Sequence, residues 1–134
     1  MERGKQFIPY EQALTIKELG FDEECFTVYK NQSRAVSFLS KIMSDDVYWK
    51  KNSMLNINYL SAPSYQQVFK WFREEHKLDS YIKPYFDNYE YYIADSSSKF
   101  NNEFNNDESS YERAELACLK KMIEIVYERK EKNK

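Results

Sequence analysis

The sequence predicts an α+β fold in which three helices pack on a small antiparallel sheet that includes a β-hairpin. Two observations support this class. Three segments repeat apolar residues at the spacing of an amphipathic helix, and shorter segments between them are rich in β-branched and aromatic residues. A chain of 134 residues can bury one apolar core without metal or disulfide staples, so we expect a single globular domain over residues 1–134.

Helix signals are most complete over residues 109–129. Ser109 and Glu112 have the spacing of a capping box, in which each side chain satisfies a backbone N–H at the start of a helix. The residues that follow place one broad apolar face on the helix, and that face must be covered. It consists of Ala114, Leu116, Cys118, Leu119, Met122, Ile123, Ile125 and Val126.

Two further helices are predicted over residues 9–19 and 64–77. In the first, Gly20 follows the last periodic residue and is typical of a helix C-terminus, because glycine readily adopts a left-handed conformation. The second begins with Ser64 and Gln67 at capping-box spacing and carries a stripe of aromatic side chains. Residues 1–8 form a loose lead-in to the first helix.

Short strands are predicted between these helices. Residues 25–29 and 35–39 favour two strands joined by a turn, and residues 54–60 alternate apolar and polar side chains as a half-buried strand does. Residues 40–53 have no clean period, so they are predicted to be a loop or a distorted helical turn. Residues 95–108 are polar and rich in Asn and Ser, which predicts a mobile loop, and residues 130–134 are expected to fray.

A β-hairpin is predicted from residues 81–86 and 89–94, with a turn at Asp87 and Asn88 that pairs Phe86 with Tyr89. Pro84 has no N–H to donate to a neighbouring strand, so its strand is expected at a sheet edge. One face of the hairpin is expected to hold Ile82, Pro84, Phe86, Tyr89, Tyr91 and Ile93. The other face is expected to hold Tyr81, Lys83, Tyr85, Glu90 and Tyr92.

Three segments share a pattern of apolar and charged positions: PYEQALTIKELGFDEECF, APSYQQVFKWFREEHKL and SYERAELACLKKMIEIV. Together they resemble a group of short proteins encoded by phages and prophages. The resemblance implies a phage or mobile-element origin and a setting in the host cytoplasm. It supplies no functional residues, because the group has no assigned activity.

Charge and composition argue against several function classes. The net charge is −2, and residues 84–108 hold six acidic residues and one lysine, so binding to nucleic acid phosphates is not expected. The only glycines are Gly4 and Gly20, which cannot build a phosphate-binding loop. No segment is apolar and long enough to span a bilayer or to act as a signal peptide, so we expect a soluble, cytoplasmic protein without membrane contact.

Candidates for chemistry are few. The distant cysteines Cys25 and Cys118 fit a reducing compartment, and with a single histidine, His76, they make a zinc site improbable. The acidic runs at residues 22–24 and 45–46 are more typical of solvated turns than of a Mg²⁺ site. A Cys25 nucleophile with His76 as its base is the one enzyme arrangement available, but the negative charge of Glu24 would raise the thiol pKa and lower its reactivity. The simpler role for His76 is that of a cation near the negative end of the helix dipole or of a partner for a carbonyl of the last turn. We expect no catalytic activity and no cofactor.

The remaining feature is an excess of aromatic residues, 12 Tyr, 9 Phe and 2 Trp. Tyrosines beside a lysine on a strand are suited to contact with a protein partner, although they can also simply cover a sheet. The sequence therefore favours a noncatalytic interaction protein that binds a host or viral protein through Tyr81, Lys83, Tyr85, Glu90 and Tyr92. A small-ligand or nucleotide-binding module is the alternative, and the sequence leaves the oligomeric state open.

Overall fold

A computed structural model describes residues 6–39, 50–96 and 102–132 of the chain. Contacts between Cα atoms divide it into two compact units, Met1–Tyr65 and Gln66–Lys134. The α+β class is confirmed, because helices and antiparallel strands both occur. Where the sequence predicts one sheet, the described residues form two three-stranded antiparallel sheets. A single domain stays a prediction.

In the first unit, helix α1 spans Tyr10–Glu18, close to the predicted range of 9–19. Gly20 follows it with φ 104°, and its N–H donates to the carbonyl of Lys17 (3.1 Å). The N–H of Phe21 donates to the carbonyl of Ile16 (2.9 Å), and the Phe21 side chain is buried. These two bonds form a Schellman cap, so the predicted role of Gly20 is confirmed.

The sheet of the first unit has the strand order β2-β1-β3. Its strands are β1 (Thr27–Lys30), β2 (Val36–Phe38) and β3 (Tyr59–Ser61). Both neighbours pair antiparallel with β1, whose first three side chains are buried, as expected of a central strand. The predicted pairing of the first two strands is confirmed. Residues 40–49, which cover most of the predicted loop or helical turn, lie outside the described residues.

The strand predicted over residues 54–60 is wrong for most of its length. A short 3-10 helix spans Asn52–Met54, and the N–H of Asn58 donates to Oδ1 of Asn56 (2.9 Å), which closes a turn. Ile57 at this turn is 89% exposed. Asparagine side chains compete in this way with strand pairing, so the alternating pattern reflects a turn rather than a half-buried strand.

The end of the predicted lead-in is buried rather than loose. Phe7 and Ile8 are buried, and the N–H of Ile8 donates to the carbonyl of Pro63 (3.0 Å). Phe7 also pairs with Ser64 in an isolated antiparallel bridge. Two adjacent apolar side chains gain several kcal/mol, roughly 3–6, from this burial, which a loose segment would forgo.

The second unit contains most of helix α2 and all of the second sheet, whose order is β4-β5-β6. The elements are α2 (Tyr65–His76), β4 (Leu78–Tyr85), β5 (Asn88–Asp95), β6 (Asn102–Glu108) and α3 (Tyr111–Lys132). Lys77 separates α2 from β4 with a φ of 58°, and both the N–H and the hydroxyl of Ser96 donate to its carbonyl. A left-handed residue at this point ends the helix and starts the strand without a loop.

Helix α3 begins one residue later than the capping box predicts. The N–H of Arg113 donates to Oγ of Ser110 (3.2 Å), so Ser110 is the N-cap, and Ser109 instead accepts a bond from the Arg113 guanidinium (3.1 Å). The predicted apolar face is otherwise correct, since all of its members are buried except Leu116, which is half-buried. The helix continues to Lys132, beyond the predicted end at residue 129.

One face of the second sheet is covered by α3, which contacts all three strands. Tyr91 and Ile93 on this face are buried, and the ring of Tyr89 meets that of Tyr111 edge to face at 5.8 Å. The ammonium of Lys121 lies 5.1 Å from the ring centroid of Phe104.

Arg129 joins three elements near the end of α3. Its Nη2 lies 2.6 Å from Oδ1 of Asp95 on β5, and its Nη1 donates to the carbonyl of His76 on α2 (2.6 Å). Asp95 is only 7% exposed, so this ion pair is largely removed from water. The contacts attach the last turns of α3 to one end of the sheet.

Strand β6 corrects the loop predicted over residues 95–108. It pairs antiparallel with β5 from Asn102 opposite Asp95 to Glu108 opposite Tyr89. Asn and Asp have low strand propensity, but every residue of β6 lies in register with β5, and Phe104 lies opposite Ile93 on the helix-covered face. Residues 97–101 of the predicted loop lie outside the described residues.

Candidate protein-binding face

The hairpin that bears the predicted binding residues is present, with a shifted turn. Tyr85 pairs with Asn88, so Phe86 and Asp87 are the two turn residues, one position earlier than predicted. Phe86 has a φ of 54°, and a positive φ at the first turn residue is typical of two-residue hairpins. The shift moves each cross-strand partner by two residues. Because side chains alternate with a period of two, every predicted residue that remains in a strand stays on its predicted face, and only Phe86 leaves its face for the turn.

Strand β4 is an edge of the sheet, as its proline predicts. Away from α3, the sheet presents what we call the tyrosine face, which consists of Tyr81, Lys83, Tyr85, Glu90 and Tyr92. Tyr81 is 57% exposed and Tyr85 is 45% exposed, whereas Tyr91 on the helix-covered face is buried. Lys83 is exposed, and Glu90 and Tyr92 are half-buried. The structure thus places all five side chains on one accessible surface.

Contacts within the tyrosine face give it a defined geometry. Tyr81 lies opposite Tyr92 across the two strands, and their rings stack with centroids 4.9 Å apart at an interplanar angle of 10°. The ammonium of Lys83 lies 4.8 Å from the ring centroid of Tyr92. The Tyr92 hydroxyl donates to Oε2 of Glu90 (2.6 Å). The rings are therefore held in place before any partner arrives, which lowers the entropy cost of binding.

The electrostatics of the face follow from these contacts. The hydrogen bond to Glu90 raises the pKa of Tyr92 above its ordinary value, because it stabilises the protonated hydroxyl. The pKa of Lys83 is raised in turn, chiefly by its contact with Tyr92. At neutral pH Tyr92 is therefore uncharged and Lys83 is an ammonium.

Phe86 is a neighbouring residue that the sequence assigns wrongly to the inner face. It is 91% exposed at the hairpin turn, and its ring meets that of Tyr85 edge to face at 4.8 Å. The predicted turn at Asp87 and Asn88 would keep Phe86 within a strand. A phenylalanine with positive φ and almost no burial contributes little to the folded state, and its ring is accessible to other molecules.

The other candidates lie in protected environments. The ring of His76 packs edge to face against Trp71 at 4.8 Å, and burial lowers its pKa. The guanidinium of Arg129 bonds the His76 carbonyl, and the buried Nε2 of the imidazole has no hydrogen-bond partner among the described residues. Cys25 is buried in the first unit, where its thiol donates to the carbonyl of Glu23 (3.6 Å). The predicted absence of catalysis stays a prediction.

Few features favour a ligand or metal site. Among the residues that the structure describes, no group of three or more His, Cys, Asp or Glu side chains could hold a metal ion. A cavity of about 260 Å³ in the first unit is lined by Lys30, Gln32, Asn58 and Tyr59. It is smaller than typical ligand pockets, which begin at roughly 300 Å³.

Comparison with known proteins adds no constraint. No protein-family model, curated protein or solved structure matches the chain. No helix in the described part of the chain is long and apolar enough to cross a membrane.

Proposed function

We propose that this protein is a small noncatalytic interaction protein of phage or mobile-element origin, which binds a host or viral protein in the host cytoplasm through the tyrosine face. The observation that supports it is the exposure of large, ordered tyrosine rings on the sheet face opposite α3. The origin and the setting follow from the resemblance of three segments to short phage proteins.

The energetics of the face favour a protein partner. Exposed tyrosine rings offer apolar area with little side-chain entropy to lose, and aromatic anchors commonly contribute most of the affinity of an interface. Tyr81 and Tyr92 are already stacked, and Tyr85 extends the aromatic surface toward Phe86. A partner that covers these rings removes apolar surface from water without rearranging the hairpin.

The test is affinity capture from host lysate, with and without phage infection, using three versions of the full chain. They are the wild type, the double variant Tyr81→Ala/Tyr85→Ala, and the control variant Tyr127→Ala. Tyr127 is an exposed tyrosine on α3 and lies outside the tyrosine face. Mass spectrometry identifies the captured proteins, and far-UV circular dichroism checks that each variant is folded.

We expect a protein that the wild type and Tyr127→Ala capture equally and that the double variant loses. With a purified partner, each tyrosine truncation should weaken binding by about 1–2 kcal/mol, the range of an interface anchor. Equal capture by all three versions would place the binding surface elsewhere and would end the proposal. A metabolite that shifts the melting temperature of the protein would instead favour a ligand-binding module.

A further inference from the structure

We infer that the tyrosine face binds a cationic protein segment whose arginine side chains stack on the tyrosine rings and pair with the carboxylates beside them. This inference rests on the proposed function and specifies the chemistry of the partner. It follows from the order of side chains across the sheet, from their net charge, and from the position of Lys83.

Side chains on this side of the sheet form rows that run across the strands. One row contains the stacked pair Tyr81 and Tyr92. The row on one side of it contains Lys83 opposite Glu90, with Asp107 opposite Glu90 on the next strand, and the row on the other side contains Asp79. Same-face residues along a strand are about 7 Å apart, so each carboxylate row lies within reach of an arginine that stacks on the central rings.

The net charge of these rows is negative. Among the side chains of these rows that the structure describes, Asp79 and Asp107 are exposed carboxylates, Glu90 is a half-buried carboxylate, and Lys83 is the one cation. The side chain of Asn88 lies 3.4 Å from Oδ2 of Asp107 as a neutral hydrogen-bond donor, so it leaves the charge of Asp107 in place. A positively charged partner would neutralise the excess negative charge of the face, whereas phosphate groups or a second copy of this face would be repelled by it.

Lys83 shows how a cation sits on these rings. Its ammonium lies 4.8 Å from the centroid of Tyr92, within the distance at which a cation is attracted to an aromatic face. Tyr81 and Tyr85 offer further ring surface to solvent. Arginine fits such a surface better than lysine, because its planar guanidinium can stack on a ring and bond a carboxylate at the same time.

The experiment is a titration of the isotope-labelled full chain, followed by NMR through backbone amide and tyrosine ring resonances. The probes are a synthetic peptide of alternating arginine and valine, the same peptide with lysine for arginine, the same peptide with glutamate for arginine, and single-stranded oligothymidylate. Glu90→Gln/Asp107→Asn removes two carboxylates while keeping side-chain shape. Glu128→Gln, at an exposed position on α3, is the matched control.

We expect the arginine peptide to shift the resonances of Tyr81, Tyr85 and Tyr92 and to bind more tightly than the lysine peptide. The double variant should bind the arginine peptide about 3- to 10-fold more weakly than the wild type, and Glu128→Gln should bind it with unchanged affinity. Raising the ionic strength from about 0.05 to 0.2 M should weaken this binding as well.

Three results would overturn the inference. They are tighter binding of the glutamate peptide or the oligonucleotide at these resonances, equal affinity of the wild type and the double variant for arginine peptide, and no shift of the tyrosine resonances by any peptide. The proposed function is judged separately by capture. If a captured protein depends on Tyr81 and Tyr85 but the arginine peptide fails, the partner is not cationic and the binding face stands.

Discussion

Replacing Phe86 with glycine should make the protein more stable, although it removes an aromatic ring. Phe86 has a φ of 54°, in the left-handed region that costs an L-residue with a Cβ roughly 1–2 kcal/mol. Glycine avoids that cost but loses about 0.5–1 kcal/mol through the greater entropy of the unfolded chain. The net gain over alanine at this position is therefore about 0.5–1 kcal/mol.

The ring itself contributes little to the balance. Phe86 is 91% exposed, so truncation exposes almost no new apolar surface, and its one edge contact with Tyr85 is worth about 0.5 kcal/mol at a surface position. We therefore expect the free energy of unfolding of Phe86→Ala to lie within about 0.5 kcal/mol of the wild-type value. The free energy of unfolding of Phe86→Gly should exceed that of Phe86→Ala by the backbone contribution alone.

Urea denaturation at equilibrium, followed by far-UV circular dichroism, measures these differences as free energies of unfolding. Asp87 in the same turn is the matched control, because its φ is not positive. There the order should reverse, with Asp87→Ala more stable than Asp87→Gly. A Phe86→Gly protein that is less stable than Phe86→Ala would refute the backbone argument and with it the view that Phe86 is retained for contact.

Three other changes test separate parts of the structure. Gly20→Ala should lower the free energy of unfolding by about 1–2 kcal/mol. The cause is backbone conformation alone, because the added Cβ meets no side chain or distant backbone atom within 4 Å. Gly20→Asn should lower the free energy of unfolding by less in the same urea assay. Arg129→Met should cost about 3 kcal/mol, since it removes the ion pair with the buried Asp95, and Arg129→Lys should recover part of this loss; a Met variant as stable as wild type would contradict the role given to that pair. Burial, and then the charge of Glu112, raises the pKa of Glu115 from 4.5 to about 7. The folded state therefore binds this proton more tightly than the unfolded state does, so the free energy of unfolding falls as pH rises from about 4.5 to 7. Glu115→Gln should therefore gain about 1 kcal/mol over wild type between pH 5 and pH 8, after allowance for solvent screening, and the same pH dependence of stability in both proteins would contradict this.

The side-chain periodicity in the sequence was sufficient to predict the helices and the faces of the hairpin. The helix periods predicted which residues of α3 are buried, and the glycine after α1 marked its end. For the hairpin, the turn was placed one residue too late, yet the tyrosine face was assigned correctly. Alternation along a strand depends only on the parity of the residue number, so this error in register did not change the faces.

The location of strands with weak propensity was decided by tertiary pairing. The Asn-rich β6 resembles a loop in composition and forms a strand because β5 offers it backbone partners. Residues 54–60 alternate like a strand and form a turn instead, because Asn56 bonds the backbone of Asn58. Local composition cannot distinguish these outcomes, since pairing partners lie far apart in the chain.

By itself, the sequence determined the positions of the helices, the cap at Gly20, the edge position of β4, and the alternation that brings Tyr81, Lys83, Tyr85, Glu90 and Tyr92 to one side. These properties depend on the periods of helices and strands and on the conformations of single residues. The tertiary structure alone decided that α3 covers the opposite side, that Tyr81 stacks on Tyr92, and that Phe86 occupies the turn. Those outcomes depend on which distant segments pair, and pairing is set by the packing of the whole fold rather than by any local pattern.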